Sequence, residues 1–153
     1  MKDTKSELLN IVLIALFAIF LVIAAISILR EDENQVCFEK NCFEVELAVT
    51  EEQQETGLTN RFSLDKDKGM LFIFNQEGNY PFWMKGMQLS LDIIWIDKNG
   101  VVVDIVENVK PCAPICFGIY PEKDASYVLE LNANTSERIG LDLEDKVEIK
   151  IKI

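Results

Sequence analysis

The sequence predicts a mainly β domain, a compact barrel or sandwich of about seven short strands with one or two short helices, preceded by one transmembrane α-helix. Three observations predict it. A long charge-free apolar run lies near the N-terminus, short apolar or alternating runs bounded by turn residues follow, and two segments carry helix-capping chemistry. At 153 residues the chain has room for one globular domain beyond the apolar run.

From Ile11 to Leu29 every residue is apolar except Ser27. Such a helix spans about 28 Å at ~1.5 Å per residue, close to a ~30 Å hydrocarbon core. Fourteen of these nineteen residues are Leu, Ile, Val or Phe, enough for several kcal/mol of insertion free energy. A cleaved signal peptide is the alternative, but its apolar core runs only ~7–15 residues. Ala25-Ile26-Ser27 could be read as a cleavage site, yet the run is long for that purpose. A retained signal-anchor is expected. Lys2, Lys5 and the amino terminus precede it and Arg30 alone follows directly, so the N-terminus is expected in the cytoplasm and the C-terminal domain outside. Ala18 with Ala24 or Ala25 is too sparse a small-residue face to argue helix pairing.

The chain then divides into a tip and anchor (1–30), a juxtamembrane linker with a cysteine turn (31–42) and an extracytoplasmic β domain (43–153). Phe43, Val45, Leu47 and Val49 alternate with Glu44, Glu46 and Ala48, the pattern of a half-buried strand. Thr50-Glu51-Glu52-Gln53 fits a capping box, and the short helix it opens should stop at Gly57. Further strands are expected at Met70–Phe74, Pro81–Lys85, Leu91–Asp97, Val101–Val106, Tyr127–Leu131 and Lys146–Ile153. Asp97-Lys98-Asn99-Gly100 should make a hairpin, with Asn-Gly supplying positive φ. Asn134-Thr135-Ser136-Glu137 can cap one helical turn ending at Gly140.

Charge and residue types prune the functional options. The first thirty residues hold two acids (Asp3, Glu7) and three bases (Lys2, Lys5, Arg30). Subtracted from totals of 26 and 15, they leave 24 acids and 12 bases, a formal charge of −12 on residues 31–153. Such a field opposes nucleic acid and anionic head groups. The chain has no histidine, which removes Ser-His-Asp and Cys-His catalysis and His-ligated metals. Four cysteines suit an oxidising compartment. Local pairing, Cys37–Cys42 and Cys112–Cys116, is the simplest of three connectivities, and each short loop would contribute only ~2 kcal/mol. A four-thiolate zinc site is the rival reading. The Cys-x-x-Cys spacing of thiol-redox enzymes is absent. Asp65-Lys66-Asp67-Lys68-Gly69 hints at a calcium loop, but its lysines and the missing distal glutamate favour a solvated turn.

Several blocks, in order, resemble the prokaryotic family catalogued as domain of unknown function 192. They are Gly57-Leu58 with Arg61, Gly69-Met70-Leu71-Phe72-Ile73-Phe74, Phe82-Trp83-Met84-Lys85, Leu91-Asp92-Ile93-Ile94-Trp95-Ile96-Asp97, Tyr127-Val128-Leu129-Glu130-Leu131-Asn132-Ala133 and Gly140-Leu141. The resemblance covers roughly residues 43 to 153. It departs at Lys85-Gly86-Met87, where the family usually reads Lys-Asn-Thr, at Ser90 before Leu91-Asp92, and at Glu144-Asp145. The resemblance implies a mainly β fold and often an extracytoplasmic location, and it brings no assigned activity.

Two features remain as site candidates. In Phe82-Trp83-Met84-Lys85, Trp83 and Lys85 share one face and Phe82 and Met84 the other, so one face could line an apolar groove with a cationic end for an acidic ligand. A core strand whose lysine reaches solvent is the plainer reading. Asp92 interrupts an apolar strand, and a buried carboxylate needs a partner. Lys85 or Arg61 could supply it as an ion pair, or Asp92 could act as general acid or base. Arg61, Trp83, Lys85 and Asp92 are thus the candidate ligand-binding residues, with no catalytic residue, metal ligand or cofactor assigned. The expected function is a membrane-anchored, non-enzymatic module that binds a small molecule or an envelope protein. The alternatives are an enzyme using Asp92 with Lys85 or Arg61, and an accessory subunit of a membrane complex.

Overall fold

The computed structural model describes residues 4–30 and 33–152. Two compact units result, Met1–Glu33 and Asn34–Ile153. The first is helix α1, Thr4–Arg30, whose stretch Glu7–Ala25 has a mean hydropathy of 3.0 and is long and apolar enough to cross a membrane. None of that stretch is buried: Leu8, Ile14, Phe17 and Phe20 all expose most of their surface.

The second unit is a curled seven-stranded sheet, a half-barrel, with two short helices. Its elements are β1 (Gln35–Phe38), β2 (Asn41–Ala48), α2 (Glu51–Thr56), β3 (Lys68–Gly78), β4 (Leu91–Ile96), β5 (Val102–Val109), β6 (Ala125–Asn132), α3 (Thr135–Ile139) and β7 (Glu148–Lys150). The strand order is β5-β4-β6-β3-β2-β1-β7. All neighbours are antiparallel except β2 and β3, which are parallel and joined through α2. The mainly β architecture with about seven strands is therefore found as expected. Val101 bridges Lys146, and the Val147 amide donates to the Gly100 carbonyl at 2.8 Å, so the start of edge strand β5 meets the segment leading into edge strand β7.

Local chemistry explains most of the elements. The Thr50 hydroxyl accepts from the Gln53 amide at 3.2 Å and the Gln53 side chain accepts from the Thr50 amide at 3.0 Å, completing the capping box of α2. Gly57, at φ 48°, ends the helix. In the Asp97–Gly100 turn between β4 and β5 only Gly100 has positive φ (72°). The Asp97 carboxylate, rather than a left-handed Asn99, organises this turn by accepting from the Asn99 and Val101 amides.

Three expectations shift. Residues 35–38, expected within the linker, form β1, because Val36 and Phe38 are buried opposite Phe43 and Asn41 in a hairpin with β2. The segment 81–85 is not a strand: Pro81 has no amide to donate, and the run is held only by the bridges Phe82–Ile119 and Lys85–Cys112. Its alternation still holds, with Phe82 and Met84 buried and Trp83 and Lys85 exposed. The expected strand Lys146–Ile153 is ordered as β7 over three residues, and Ile153 lies outside the described residues.

The sheet buries both faces. One carries Val36, Phe38, Phe43, Val45, Leu71, Ile94, Ile96, Val102, Leu129 and Leu131. The other carries Met70, Phe72, Leu91, Ile93, Trp95 and Val128, covered by Leu58, Phe82, Met84 and Met87 from the loops. Disulfides join Cys37 to Cys42 across the β1–β2 hairpin and Cys112 to Cys116 in the loop before β6. With all four sulfurs bonded, no thiolate set remains for zinc.

Candidate functional site

The strand register sends two buried carboxyl groups to opposite faces. Asp92 of β4 sits opposite Leu131 and Ile93 opposite Glu130, so Asp92 joins the Ile94–Ile96 face and Glu130 the Trp95–Val128 face.

Asp92 is wholly buried and fully engaged. Its Oδ1 accepts from the amides of Asn108 (2.8 Å) and Asn134 (2.9 Å), and Oδ2 accepts from Ser136 at 2.8 Å. The Asn108 amide is available because β5 bulges between its pairings with Leu91 and Ile93, with Asn108 at φ 52°. The other two amides belong to the start of α3. Asn134 makes no side-chain cap, so Asp92 caps the helix from a neighbouring strand. Asp92 therefore pairs with neither Lys85 nor Arg61, contrary to expectation, and α3 starts after N-cap Asn134 and stops at Gly140 as expected, although the Asn134 side chain makes no capping bond. The carboxylate is satisfied by backbone donors and sealed from solvent, which removes it as an acid or base for a substrate.

Glu130 is the opposite case. It is 4% exposed, and its Oε2 has no hydrogen-bond partner among the described residues. Burial pushes its carboxyl up to about 8, against a weaker opposing pull from the Arg61 guanidinium. Arg61 is itself held in a two-pronged pair with Glu46, one contact being Nη2 to Oε2 at 2.7 Å. That hydrogen-bonded pair lowers Glu46 and raises Arg61 relative to their ordinary values. Glu46 and Glu130 both lie opposite Met70 of β3, one on each side, which brings the guanidinium near Glu130 without bonding it.

Glu130 lines a cleft of about 300 Å³. Helix α2 supplies Glu51, Gln54, Glu55 and Thr56, the following turn Gly57 to Thr59, β3 Phe72 and Phe74, and the 80–87 loop Tyr80, Pro81, Phe82, Trp83 and Met87. The walls are fixed by packing. Phe74 and Tyr80 stack at 3.6 Å with an 8° interplanar angle, and Phe82 meets Phe72 and Trp95 edge to face at 4.7 and 5.9 Å. The Gln54 amide ties α2 to the sheet by donating to the Ile73 carbonyl at 2.8 Å, and Trp95 Nε1 donates to the Tyr80 carbonyl at 3.0 Å. A Cβ on Gly57 would lie 3.3 Å from the Phe72 ring and 4.0 Å from Glu130 Oε2, so glycine keeps the cleft open there.

Of the four sequence candidates, the structure brings two together. Trp83, 47% exposed, lines the cleft and also a more open hollow beside it, which contains Lys85, Glu55, Thr59, Asn60, Cys116 and Gly118. Arg61 is committed to Glu46, and Asp92 belongs to the other face. Glu130 is not among the sequence candidates, although one carboxylate within Val128-Leu129-Glu130-Leu131 is a usable signal. The Asp65–Gly69 segment is a turn in which the Lys68 amide donates to the Asp65 carbonyl at 3.0 Å, and no acidic or cysteine cluster among the described residues could hold a metal.

A curled sheet whose cross-over helix borders an aromatic cleft defines a small, mainly β domain with a cleft on its loop-covered face. The family model described as Uncharacterized ACR, domain of unknown function 192, matches residues 34–149, and the chain belongs to that family. Similar solved structures include the following two. One, from Sinorhizobium meliloti 1021 and described as a candidate transcription regulator, has a TM-score of 0.68 and 33% identity over 76% of this chain and 92% of its own. The other, a protein of unknown function from Novosphingobium aromaticivorans DSM 12444, has a TM-score of 0.67 and 30% identity over 76% of this chain and 83% of its own. No curated protein matches the chain.

Proposed function

We propose that this protein is a membrane-anchored, extracytoplasmic binding module whose ligand enters the cleft between α2 and the 80–87 loop. The observation that carries the binding reading is Glu130: a buried carboxyl with an unpartnered oxygen is costly to keep, and it opens onto an apolar space of small-molecule size. Anchoring is supported by the composition of Glu7–Ala25, and placement outside the cytoplasm by two disulfides together with the lysines before α1. The regulator description of the Sinorhizobium protein does not carry over readily. A formal charge of −12 on residues 31–153 opposes DNA.

Ligand-observed NMR with a fragment collection on the full-length chain in nanodiscs tests the site, with Thr56→Trp as the cleft-blocked variant. Thr56 is exposed on the cleft wall, so its replacement spares the core. Fragments that bind the native chain and are lost in Thr56→Trp support the cleft. An unchanged hit list in the variant would remove it. Protease access in intact cells tests the topology: full protection of residues 34–152 would overturn the external placement.

A further inference from the structure

The lining of the cleft constrains what it can hold. Glu130 is its interior carboxyl, with Oε2 buried and without a donor among the described residues, and Glu51 and Glu55 stand on α2 at its edge. Phe74, Tyr80 and Trp83 contribute rings. No lysine or arginine is among the lining residues. Of the nearby cations, Arg61 is neutralised by Glu46, and Lys85 lines the adjoining hollow instead.

Resting on the reading of the cleft as a ligand site, we propose that its ligand is an organic cation: a primary amine on a short apolar body, with the ammonium against the Glu130 carboxyl and the body among the rings. An ammonium brings three donors to a carboxyl group that is short of them. Aromatic faces attract cations, most strongly where water is excluded. The acidic edge raises the local concentration of cations over anions. An anionic ligand would meet three carboxyl groups and no lining cation. A neutral ligand could accept a hydrogen bond from protonated Glu130 but would gain nothing from Glu51 and Glu55.

The proposal couples binding to a proton. With its carboxyl pushed up to about 8, Glu130 is mostly protonated at pH 7 in the free protein. An ammonium beside it favours the carboxylate, so the amine displaces that proton to solvent, about 0.9 per site at pH 7 by the titration relation. The charged groups around Glu130 are the Arg61–Glu46 pair toward β2 and Glu51 and Glu55 on α2, while its strand neighbours Met70 and Ile93 are apolar.

Isothermal titration of the full-length chain in phosphatidylcholine nanodiscs tests this with benzylamine, benzyl alcohol and phenylacetate. Measurements at pH 7 in two buffers of different ionisation enthalpy count the protons released. Benzylamine is expected to bind at least tenfold more tightly than either analogue, releasing close to one proton, and Glu130→Gln is expected to lose both properties. Equal or tighter binding of benzyl alcohol or phenylacetate overturns the cation assignment and leaves the cleft as a site. Amine binding without proton release overturns it too, as does a tenfold preference retained in Glu130→Gln. Failure of all three probes to bind rejects the amine ligand, while the fragment comparison with Thr56→Trp separately decides the cleft. Should Glu130→Gln not fold, the proton count on the native chain decides alone.

Discussion

Replacing Glu130 by glutamine should stabilise the domain at neutral and alkaline pH, contrary to the effect of most core substitutions. An ordinary glutamate ionises near 4.5, whereas burial pushes Glu130 up to about 8. Between those values the folded state holds a proton that the unfolded state has released. Folding stability therefore falls as pH rises through the window, by up to ~1.4 kcal/mol per pH unit. The accumulated cost is negligible below pH 4.5, about 3 kcal/mol at pH 7, about 4 kcal/mol at pH 8, and levels off near ~5 kcal/mol above that. Glutamine keeps the shape and cannot ionise, so it removes this slope, less ~1 kcal/mol for its own buried amide. Urea unfolding of the full-length chain in micelles, followed by tryptophan fluorescence between pH 4.5 and 8.5, measures it. Every other titrating group cancels in the difference between the two proteins. The expected difference is up to ~1 kcal/mol against the variant at pH 4.5 and shifts in favour of the variant toward pH 8. A difference that stays flat across that range would refute the reasoning, because it would mean Glu130 ionises alike in the folded and unfolded chains.

Further substitutions probe the rest of the frame. Asp92→Asn takes one acceptor oxygen from three converging amides and sets an NH2 group against an N–H; a loss of about 3 kcal/mol is expected, and the same urea midpoints check it. Gly100→Ala places a Cβ 2.7 Å from the Val147 carbonyl oxygen at a backbone φ of 72°, so a loss of about 1–3 kcal/mol and weaker amide-exchange protection at Val147 are expected. Replacing Cys37 and Cys42 together by serine should lower thermal stability by only about 2 kcal/mol, since the loop they close is short. Arg61→Ala breaks a pair whose side chains are 35% and 55% exposed, so stability should change by less than about 1 kcal/mol, while NMR titration should show Glu130 rising further.

Much of the fold was legible because its signals are local. The Thr50–Gln53 capping box, the Gly57 stop, the alternation through Phe43–Val49 and the Asp97–Gly100 hairpin each depend on residues a few positions apart. β1 was not legible. Its four residues follow a polar stretch, and their burial comes from Phe43 and Ile149 on neighbouring strands. The 81–85 run shows the converse: its alternation is that of a strand, but with only two bridges it is a covering loop whose inward side chains close the face above Trp95.

The site turned on two carboxyl groups that look alike in sequence, each interrupting an apolar strand. Asp92 invites a functional reading and Glu130 passes as one letter in a strand. What separates them is the supply of donors, which depends on segments distant in the chain. Asp92 receives amides from a bulge 16 residues away and from a helix start 42 and 44 residues away. Those donors satisfy it in a sealed place, which is a structural task. Glu130 receives none at Oε2, and the loops over its face leave a cleft rather than a lid. A buried carboxyl that the fold has satisfied costs little, and nothing further need be asked of it. One left unsatisfied lowers stability at every pH above its unfolded pKa. The stability curve of Glu130→Gln therefore bears on function as well as on folding: a measured penalty at pH 7 means the domain carries an uncompensated polar group that a bound ligand could complete.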